Sequence, residues 1–325
     1  MPQDFSRRDI LRLAAGAGVV ALTGCATAQR DQSAAKIVGP RKHTLRIAHL
    51  NDIHMQPERD APGGMTVCLA HIMAQPKRPD MVITGGDLIM DGFAQPYDRT
   101  NLQWDLWQRT FADQCSLPVL HTLGNHDIWG WNKDKSATTG TESRWGKNWA
   151  LEALRLQRSY YAVDRAGWRI IILDSVQPNG AGYIGRLDDE QFAWLDQELT
   201  TAGPNANVLV VSHIPILGMA PVEHDARIEE TDWRIPGGVM HIDGRKLHRL
   251  FVERGNVRLC LSGHIHKVDR VDYAGITYIC DGAVSGAWWK GPENRCQEGY
   301  GLVDLYSDGS FEHRYHTYGW QAREA

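Results

Sequence analysis

The 325-residue sequence predicts an α/β fold in which short buried strands alternate with amphipathic helices. Several short runs, such as residues 208–211, are apolar at every position, which is typical of central strands covered on both faces. Segments with helical spacing lie between these runs, and in one of them Phe192, Leu195 and Leu199 recur at intervals of three and four residues. Alternation of this kind indicates a parallel or mixed sheet with helices packed on it.

The predicted elements follow one another in a consistent order. Strands are predicted at 45–50, 81–84, 118–120, 208–211 and 258–261, and helices at 97–113, 188–201 and 242–254. Two hairpins are predicted as well, 160–164 with 168–174 and 301–306 with 311–315. The second contains Asp308-Gly309, a favourable two-residue turn. The acidic segment 218–233 is interpreted as a solvated loop able to cover a site.

Side chains that commonly bind metal ions come directly after these strands. They comprise two carboxylates, one amide and four imidazoles: Asp52, His54, Asp87, Asn125, His213, His264 and His266. Imidazole and carboxylate suit iron, manganese and zinc, and the absence of cysteine from the set argues against a structural zinc cage. Two ions about 3.5–4 Å apart lower the pKa of bound water and hold both oxygens of an in-line displacement at phosphorus. The residues therefore predict a dinuclear hydrolytic centre.

Five short segments resemble the calcineurin-like metallophosphoesterase superfamily, which includes purple acid phosphatases and class III cyclic-nucleotide phosphodiesterases. They are Asp52-Ile53-His54, Gly86-Asp87, Gly124-Asn125-His126-Asp127, Ser212-His213 and Gly263-His264-Ile265-His266. The resemblance implies a four-layer α/β/β/α sandwich of two mixed β-sheets. One departure is Leu123, where proline often precedes Gly-Asn-His, and we expect it to affect the turn only.

The resemblance also implies a role for each residue. Asp52, His54 and His266 would hold a first metal ion, Asp87 would bridge both ions, and Asn125, His213 and His264 would complete the second site. His126 would face the substrate and either protonate the leaving oxygen or stabilise phosphoryl charge, with Asp127 orienting it. The cofactors would be two divalent or trivalent ions of iron, manganese or zinc.

The implied activity is hydrolysis of a small-molecule phosphate ester by a hydroxide that the two ions activate. The ligands alone do not distinguish a phosphodiesterase from a phosphomonoesterase. Segments beside the motifs contain Trp129, Trp131, Trp288 and Trp289, which either wall the substrate pocket or pack in the core, and only Lys133 and Lys290 as cations. We therefore expect a phosphodiester, with exported nucleotides or glycerophosphodiesters as candidates. A phosphatase, or an inactive binding scaffold of the same fold, is the alternative.

The amino terminus predicts export. Ser6-Arg7-Arg8-Asp9-Ile10-Leu11 resembles a twin-arginine signal, and the apolar stretch 13–24 is too short for a good membrane-spanning helix. Leu22-Thr23-Gly24-Cys25 resembles a lipobox, so that either Cys25 is lipidated or cleavage occurs around residues 26–28. We divide the chain into a signal peptide at 1–28, a linker at 29–42 and a phosphoesterase domain at 43–325, whose C-terminal hairpin region begins near 286. The protein is expected in the periplasm or anchored by lipid on the outer side of a bacterial membrane.

Charge and cysteine content limit the partners further. A net charge of −4 without a Lys/Arg-rich block predicts no nucleic-acid partner, and a lipid on Cys25 is the only membrane contact expected. The composition does not indicate an oligomeric state. Five cysteines remain after Cys25, so at least one is unpaired, and a single disulfide involving Cys296 is one option.

Replacing Arg7 and Arg8 by lysine should trap the precursor in the cytoplasm, because the export machinery reads the arginine pair. Cys25→Ser should release a soluble form or block processing, since the lipid requires that thiol. Cell fractionation with immunoblotting measures both effects. Active full-length protein in the cytoplasm of the native cell would contradict the interpretation.

Overall fold

A computed structural model describes residues 41–322 of the chain, and the predicted signal peptide, the lipobox and most of the linker lie outside the described residues. None of the helices within 41–322 is both long and apolar enough to cross a membrane. The elements are, in order, β1 (His43–Leu50), α1 (Ala61–Met73), β2 (Met81–Thr84), α2 (Tyr97–Gln114), β3 (Val119–His121), α3 (Lys133–Ser136), α4 (Asn148–Leu154), β4 (Tyr161–Arg165), β5 (Trp168–Ile172), β6 (Val176–Asn179), β7 (Gly182–Gly185), α5 (Asp189–Ala202), β8 (Asn207–Val211), α6 (Ala220–Asp225), β9 (Arg227–Glu229), β10 (Asp232–Arg234), α7 (Gly244–Arg254), β11 (Val257–Ser262), β12 (Asp269–Tyr273), β13 (Ile276–Cys280), β14 (Gly299–Tyr306) and β15 (Phe311–Thr317).

Two mixed sheets form the centre of the fold. The first has the strand order β15-β14-β1-β2-β3, with β1, β2 and β3 parallel and β14 antiparallel to β1. The second has the order β12-β13-β11-β8-β5-β4, in which β13, β11, β8 and β5 are parallel and the two edge strands antiparallel. The predicted ligands all follow parallel strands: β1, β2 and β3 in the first sheet and β8 and β11 in the second.

The two sheets pack face to face over an apolar core. Because side chains alternate between the faces of a strand, Ile47 points to this inter-sheet core while Ala48 points to the opposite face. The second sheet contributes Leu209, Val211 and Leu261, among others, to the same core. Strands covered on both faces account for the continuous apolar runs in the sequence.

Helices cover the outer face of each sheet. Residues of α1 and α2, such as Met65 and Trp104, pack with Ala48 on the first sheet. Residues of α5 and α7, such as Leu195 and Phe251, pack with Val210 on the second. The order of layers is therefore helix, sheet, sheet, helix, and the predicted four-layer sandwich is confirmed.

Most predicted elements occur with nearly the predicted bounds, and the misses have physical reasons. Helix α1 was not predicted, because Pro62-Gly63-Gly64 at its start reads as a turn. Gly64 is nonetheless required inside this helix, since a β-carbon there would lie 2.2 Å from the Trp289 ring. The segment 218–233 was expected to be a loop, and its greater part forms α6, β9 and β10.

The described cysteines form no disulfide. Cys68, Cys115, Cys260, Cys280 and Cys296 are all free thiols, and the bridge considered for Cys296 does not occur among them. Cys260 and Cys280 are buried in strands, as the apolar runs around them predicted.

A buried carboxylate connects the two sheets behind the strand ends. Asp281, fully buried, accepts hydrogen bonds from His49 Nδ1 at 2.7 Å and His313 Nε2 at 2.8 Å. Burial alone would raise the pKa of the Asp281 carboxyl, but His313 and His49 outweigh burial and hold it below its usual value. Burial opposes the charge on His313, and Asp281 outweighs that effect and raises the pKa of His313.

We expect Asp281→Asn to lower the free energy of unfolding by ~3–5 kcal/mol, because it leaves a buried imidazolium without its anion. Because folding lowers the pKa of Asp281, this carboxylate stabilises the fold at pH values above its pKa in the unfolded chain, ~3.9. Because folding raises the pKa of His313, this imidazolium stabilises the fold at pH values below its pKa in the unfolded chain, ~6.5. The difference in the free energy of unfolding between wild type and Asp281→Asn should thus be largest between these two pH values and become smaller at lower and at higher pH. Urea unfolding of metal-free protein at several pH values measures it.

Asp164→Asn is the matched control, since Asp164 is 78% exposed and pairs with Arg169 on the surface. That variant should lose at most ~1 kcal/mol. Equal losses of unfolding free energy in the two variants would show that the buried network stabilises the fold no more than a surface ion pair does.

Candidate metal centre

All nine predicted site residues lie at one edge of the sandwich, where parallel strands of both sheets end. Asp52 and His54 follow β1, Asp87 follows β2, and Asn125, His126 and Asp127 follow β3. His213 follows β8 in the second sheet, and His264 and His266 follow β11. The carboxyl ends of parallel strands are where α/β proteins place their ligands, so the topology explains the convergence.

The first cluster consists of Asp52, His54 and His266. One ligand atom from each lies within 4.8 Å of the others. His54 Nε2 is 3.1 Å from His266 Nε2, which in turn is 3.5 Å from Asp52 Oδ1. Ring nitrogens and a carboxylate oxygen that point at one another can share a cation.

The second cluster consists of Asp87, His213 and His264, whose ligand atoms also lie within 4.8 Å of one another. His213 Nε2 is its centre: it is 3.1 Å from His264 Nδ1, 3.2 Å from Asp87 Oδ2 and 3.1 Å from the amide oxygen of Asn125. The structure therefore brings Asn125 into this group as well.

Asp87 lies between the two clusters. Besides His213, its Oδ2 is 3.8 Å from His54 Nε2, on the side of the first cluster. Asp87 also forms a possible ligand group with His54 and His126. A single carboxylate within reach of both clusters is the geometry that a bridging ligand needs.

Backbone carbonyls fix three of the imidazoles in the orientation that metal binding requires. His213 Nδ1 donates to the carbonyl of Gly85 at 2.8 Å, His264 Nε2 to that of Gly238 at 2.8 Å, and His266 Nδ1 to that of Gly286 at 2.7 Å. A ring that donates through one nitrogen presents the other nitrogen to the cluster, as metal-ligating histidines generally do. The donor set therefore fits two metal ions.

The backbone at these positions is unusual. Asp52, His54, Asp87, His264 and His266 all have positive φ angles between 48° and 72°. Non-glycine residues in this left-handed region cost of order 1–3 kcal/mol each and are concentrated at functional sites. The sequence signal that accompanies them is the glycine that precedes Asp87 and the one that precedes His264.

Two glycines are needed for space. A β-carbon on Gly124 would lie 2.1 Å from Asp87 Oδ1, and one on Gly86, whose φ is +99°, would lie 2.6 Å from His213 Nδ1. These close approaches explain why the second and third motifs contain glycine immediately before or near a ligand.

The protein environment sets the charge on the ligands. Burial and the neighbouring His126 hold the pKa of His54 well below its usual value, and burial with His213 lowers the pKa of His264 to about 3. Burial opposes the charge on His213, yet Asp87 outweighs it and raises the pKa of His213 to about 9. His54 and His264 are thus ready to bind as neutral rings, whereas an ion at the second cluster would displace a proton from His213.

Asp127, predicted to orient His126, makes hydrogen bonds with the backbone instead. The buried Asp127 carboxylate accepts hydrogen bonds from the backbone N–H groups of Leu88 at 2.7 Å and Gly124 at 2.8 Å, so it ties together the loops after β2 and β3. The His126 ring lies edge-on to His54 with centroids 4.8 Å apart, and its Nδ1 has no hydrogen-bond partner among residues 41–322. Its backbone N–H donates to Asp87 Oδ1 at 2.8 Å.

A cavity of about 190 Å³ opens above the two clusters. His126 lines it, as predicted, together with ligands of both clusters and with side chains that are not predicted ligands: Tyr183, His224, Val239, Ile265, Trp288 and Glu293. Tyr183 sits on the β6–β7 hairpin, which the turn residues Pro178-Asn179-Gly180 could have revealed; Glu293 carries no such signal.

The tryptophans beside the motifs divide into two kinds. Trp288 lines the cavity with its ring 4.8 Å from that of His266, and Trp131 lines a separate groove with Trp145. Trp129 and Trp289 are buried in the core behind the first sheet, so the core alternative holds for them. Trp289 Nε1 donates to the carbonyl of Ile53 at 2.9 Å and thereby supports the turn that presents His54.

Comparison with known proteins agrees with this geometry. The sequence model of the family described as "Calcineurin-like phosphoesterase" matches residues 45–268. A probable cyclic nucleotide phosphodiesterase of Synechococcus sp. is 26% identical over 278 residues, covering 84% of this chain and 92% of that protein. A cAMP/cGMP dual specificity phosphodiesterase of Mycobacterium tuberculosis is 24% identical over 282 residues, covering 81% and 76%. The crystal structure of a dimetal phosphatase from Danio rerio superposes with a TM-score of 0.55 at 16% identity, covering 86% of this chain and all of that one, and shows the same fold.

We expect the purified protein to bind two metal ions per chain and Asp87→Asn to bind fewer and lose turnover. The change removes the one carboxylate within reach of both clusters, while the amide oxygen can still accept from the His126 N–H. Metal content by mass spectrometry, with circular dichroism as a test of folding, measures the effect.

Asp91→Asn is the matched control, because Asp91 lies four residues away and its carboxylate accepts from the Ala94 N–H rather than facing a cluster. It should keep both ions. Full metal content and full turnover in Asp87→Asn would refute the arrangement.

Proposed function

This chain belongs to the calcineurin-like phosphoesterase family, and from that premise we propose that it is a two-metal phosphodiesterase acting on small molecules outside the cytoplasm. It is a hydrolase of phosphoric ester bonds, as its family and relatives are. The preference for diesters over monoesters, the two-ion mechanism and the location are the parts proposed here.

The proposed ligands follow the two clusters. Asp52, His54 and His266 would hold one ion, Asn125, His213 and His264 would hold the other, and Asp87 is within reach of both clusters. When bound, two such ions activate water and neutralise charge on the phosphoryl group. The chain's contribution is to hold four imidazoles and two carboxylates in place before the substrate arrives.

His126 is the proposed proton donor. Its ring lines the cavity beside both clusters, and its Nδ1 has no partner within the described chain. Because Nδ1 is buried, the ring would donate through its other nitrogen, Nε2, to the leaving oxygen or to a phosphoryl oxygen. Asp127 is engaged with backbone N–H groups rather than with the His126 ring.

The composition of the cavity wall supports the proposal that the substrate is a phosphodiester. Among the described residues that line the cavity there is no arginine and no lysine, and the walls are formed by Tyr183, Val239, Ile265 and Trp288. A monoester has a second phosphate charge that needs an extra cation, whereas a diester has a second ester group that needs apolar contact. The carboxylate of Glu293 on the same wall further disfavours a dianion.

None of the cations considered from the sequence lines the cavity, although Lys290 Nζ lies 6.0 Å from the centre of the Trp288 ring, which does. Arg144 forms an ion pair with Glu152, and Lys133 donates to the carbonyl of Thr139 beside another groove. Arg227 lies on the exposed strand β9. A cyclic nucleotide or a glycerophosphodiester fits the wall better than a phosphomonoester does.

We expect bis-nitrophenyl phosphate to be hydrolysed with a higher kcat/KM than mono-nitrophenyl phosphate at saturating metal. Cyclic nucleotides and glycerophosphodiesters then identify the natural class. A monoester that reacts faster by about tenfold, or ~1.4 kcal/mol of transition-state stabilisation, would reverse the assignment to a diesterase.

His126→Ala provides the control on mechanism in the same assay. It should retain two ions and lower kcat by about 10²–10⁴, the usual contribution of a general acid. His316→Ala, on the edge strand β15, should leave the rate unchanged. Loss of metal in His126→Ala would make it a ligand rather than a proton donor.

A further inference from the structure

On the wall of the catalytic cavity, the hydroxyl of Tyr183 has no partner within the described chain. Tyr183 belongs to the β6–β7 hairpin, lines the cavity and is half-buried. Its hydroxyl makes no hydrogen bond with any residue of 41–322, and it is not among the enclosed polar atoms of that range, so it is accessible. A tyrosine hydroxyl both donates and accepts. Its hydrogen bond is therefore available to a ligand in the cavity.

The ring of Tyr183 is held on several sides. It lies edge-on to Phe93, with ring centroids 5.8 Å apart, and edge-on to His264, with centroids 6.1 Å apart. Gly238 packs against another side, since a β-carbon there would lie 3.7 Å from Cε2 of the Tyr183 ring. A side chain that is locked by packing holds its polar group in position before a ligand arrives.

The hairpin that carries Tyr183 rests on the loops that carry the metal ligands. Tyr183 packs against a small apolar cluster that includes Ile128 and Ile214. Ile128 lies two residues after His126, and Ile214 directly follows His213. Direct packing therefore sets the distance between the Tyr183 ring and both loops.

Tyr183 and His126 stand beside different clusters. The His126 ring lies edge-on to His54 of the first cluster, whereas Tyr183 lies beside His264 of the second. Burial raises the pKa of the Tyr183 hydroxyl above its ordinary value, and the nearby carboxylate of Asp87 raises it further. The phenol therefore keeps its proton at neutral pH. The wall thus offers one proton-bearing donor on the side of each cluster.

The other polar side chains of the wall are less suited to this task. His224 is exposed on the six-residue helix α6, and the carboxylate of Glu293 accepts hydrogen bonds rather than donating them. No arginine or lysine lines the cavity within residues 41–322. A neutral hydroxyl also suits a phosphodiester, which has a single negative charge to stabilise.

We propose that Tyr183 is a catalytic residue whose hydroxyl donates to a nonbridging phosphoryl oxygen of the substrate on the side of the second cluster. This role rests on the proposed function, in which the phosphoryl group lies over the two clusters. His126 then serves the leaving oxygen, so the two side chains act on different oxygens. The proton stays on the phenol throughout, and its hydrogen bond stabilises charge in the transition state.

Two other roles for Tyr183 would depend on different atoms. A residue that only supports the hairpin or forms an apolar wall needs its ring and not its hydroxyl. A metal ligand needs its oxygen for metal binding. Replacement by phenylalanine separates the three roles, because it removes one oxygen atom and keeps the ring that packs against Phe93 and His264.

Tyr183→Phe should keep two ions per chain and lower kcat by about 10²–10³, the usual effect of removing one preorganised donor. Tyr273→Phe is the matched control: its ring is 59% exposed on β12, outside the cavity, and its rate should be unchanged. The assay uses whichever nitrophenyl phosphate wild type hydrolyses faster, so a wrong preference for diesters does not affect the result. Full activity in Tyr183→Phe would overturn the proposal, and loss of an ion would make Tyr183 a ligand instead.

Binding of inorganic phosphate to the metal-loaded protein, measured by calorimetry, gives a readout that does not depend on turnover. Phosphate presents the same oxygens, so Tyr183→Phe should raise its Kd by about tenfold, the effect of one hydrogen bond to a charged group. Tyr273→Phe should bind phosphate as wild type does. An unchanged Kd in Tyr183→Phe would contradict the contact. A wild type that binds phosphate but hydrolyses neither nitrophenyl ester would refute the proposed function alone.

Aryl phosphate esters with increasingly basic leaving groups distinguish the two donors. The factor lost in His126→Ala should grow along the series, because a general acid contributes most to a poor leaving group. The factor lost in Tyr183→Phe should stay constant, since every ester has the same nonbridging oxygens. A loss in Tyr183→Phe that grows along the series would assign its hydroxyl to the leaving oxygen and refute the proposed division between the two side chains.

Discussion

The carboxylate of Asp87 is the contact on which the arrangement of the whole site depends. One of its oxygens faces His213 and His54, which belong to different sheets and different clusters, and the other accepts the N–H of His126. To reach this position the backbone adopts a left-handed turn after a glycine, and Gly124 must lack a side chain. Three strand ends from two sheets are thereby fixed relative to one carboxylate.

This constraint explains why a four-layer sandwich suits the site. Neither sheet supplies both clusters completely: the first provides Asp52, His54 and Asp87, and the second provides His213, His264 and His266. The ligand distances therefore depend on how the sheets pack, and the apolar inter-sheet core determines them. Asp281, which binds His49 and His313, adds a polar connection immediately behind the ligands.

Sequence alone was sufficient where one physical rule dominated. Continuous apolar runs identified the buried strands, and the residue types after each strand identified every member of the two clusters. It could not supply the contacts that tertiary packing decides. The resemblance implies that Asp127 orients His126, whereas the turn after β3 directs the carboxylate to the Leu88 and Gly124 N–H groups. Likewise Trp289 and Trp288 are adjacent, yet one is buried and the other lines the cavity, a difference that requires knowledge of their left-handed backbone.

The two clusters rest on supports of unequal rigidity. His54 is presented by a turn that the fully buried Trp289 holds from the core, whereas His264 donates to the carbonyl of Gly238, in a half-buried loop that follows β10. Local fluctuation costs less free energy where fewer buried contacts must be broken. We therefore expect the second cluster to be the more mobile of the two. An ion there should exchange faster with solvent than its neighbour, and the protein would hold a single ion as a distinct intermediate state on its way to the loaded form.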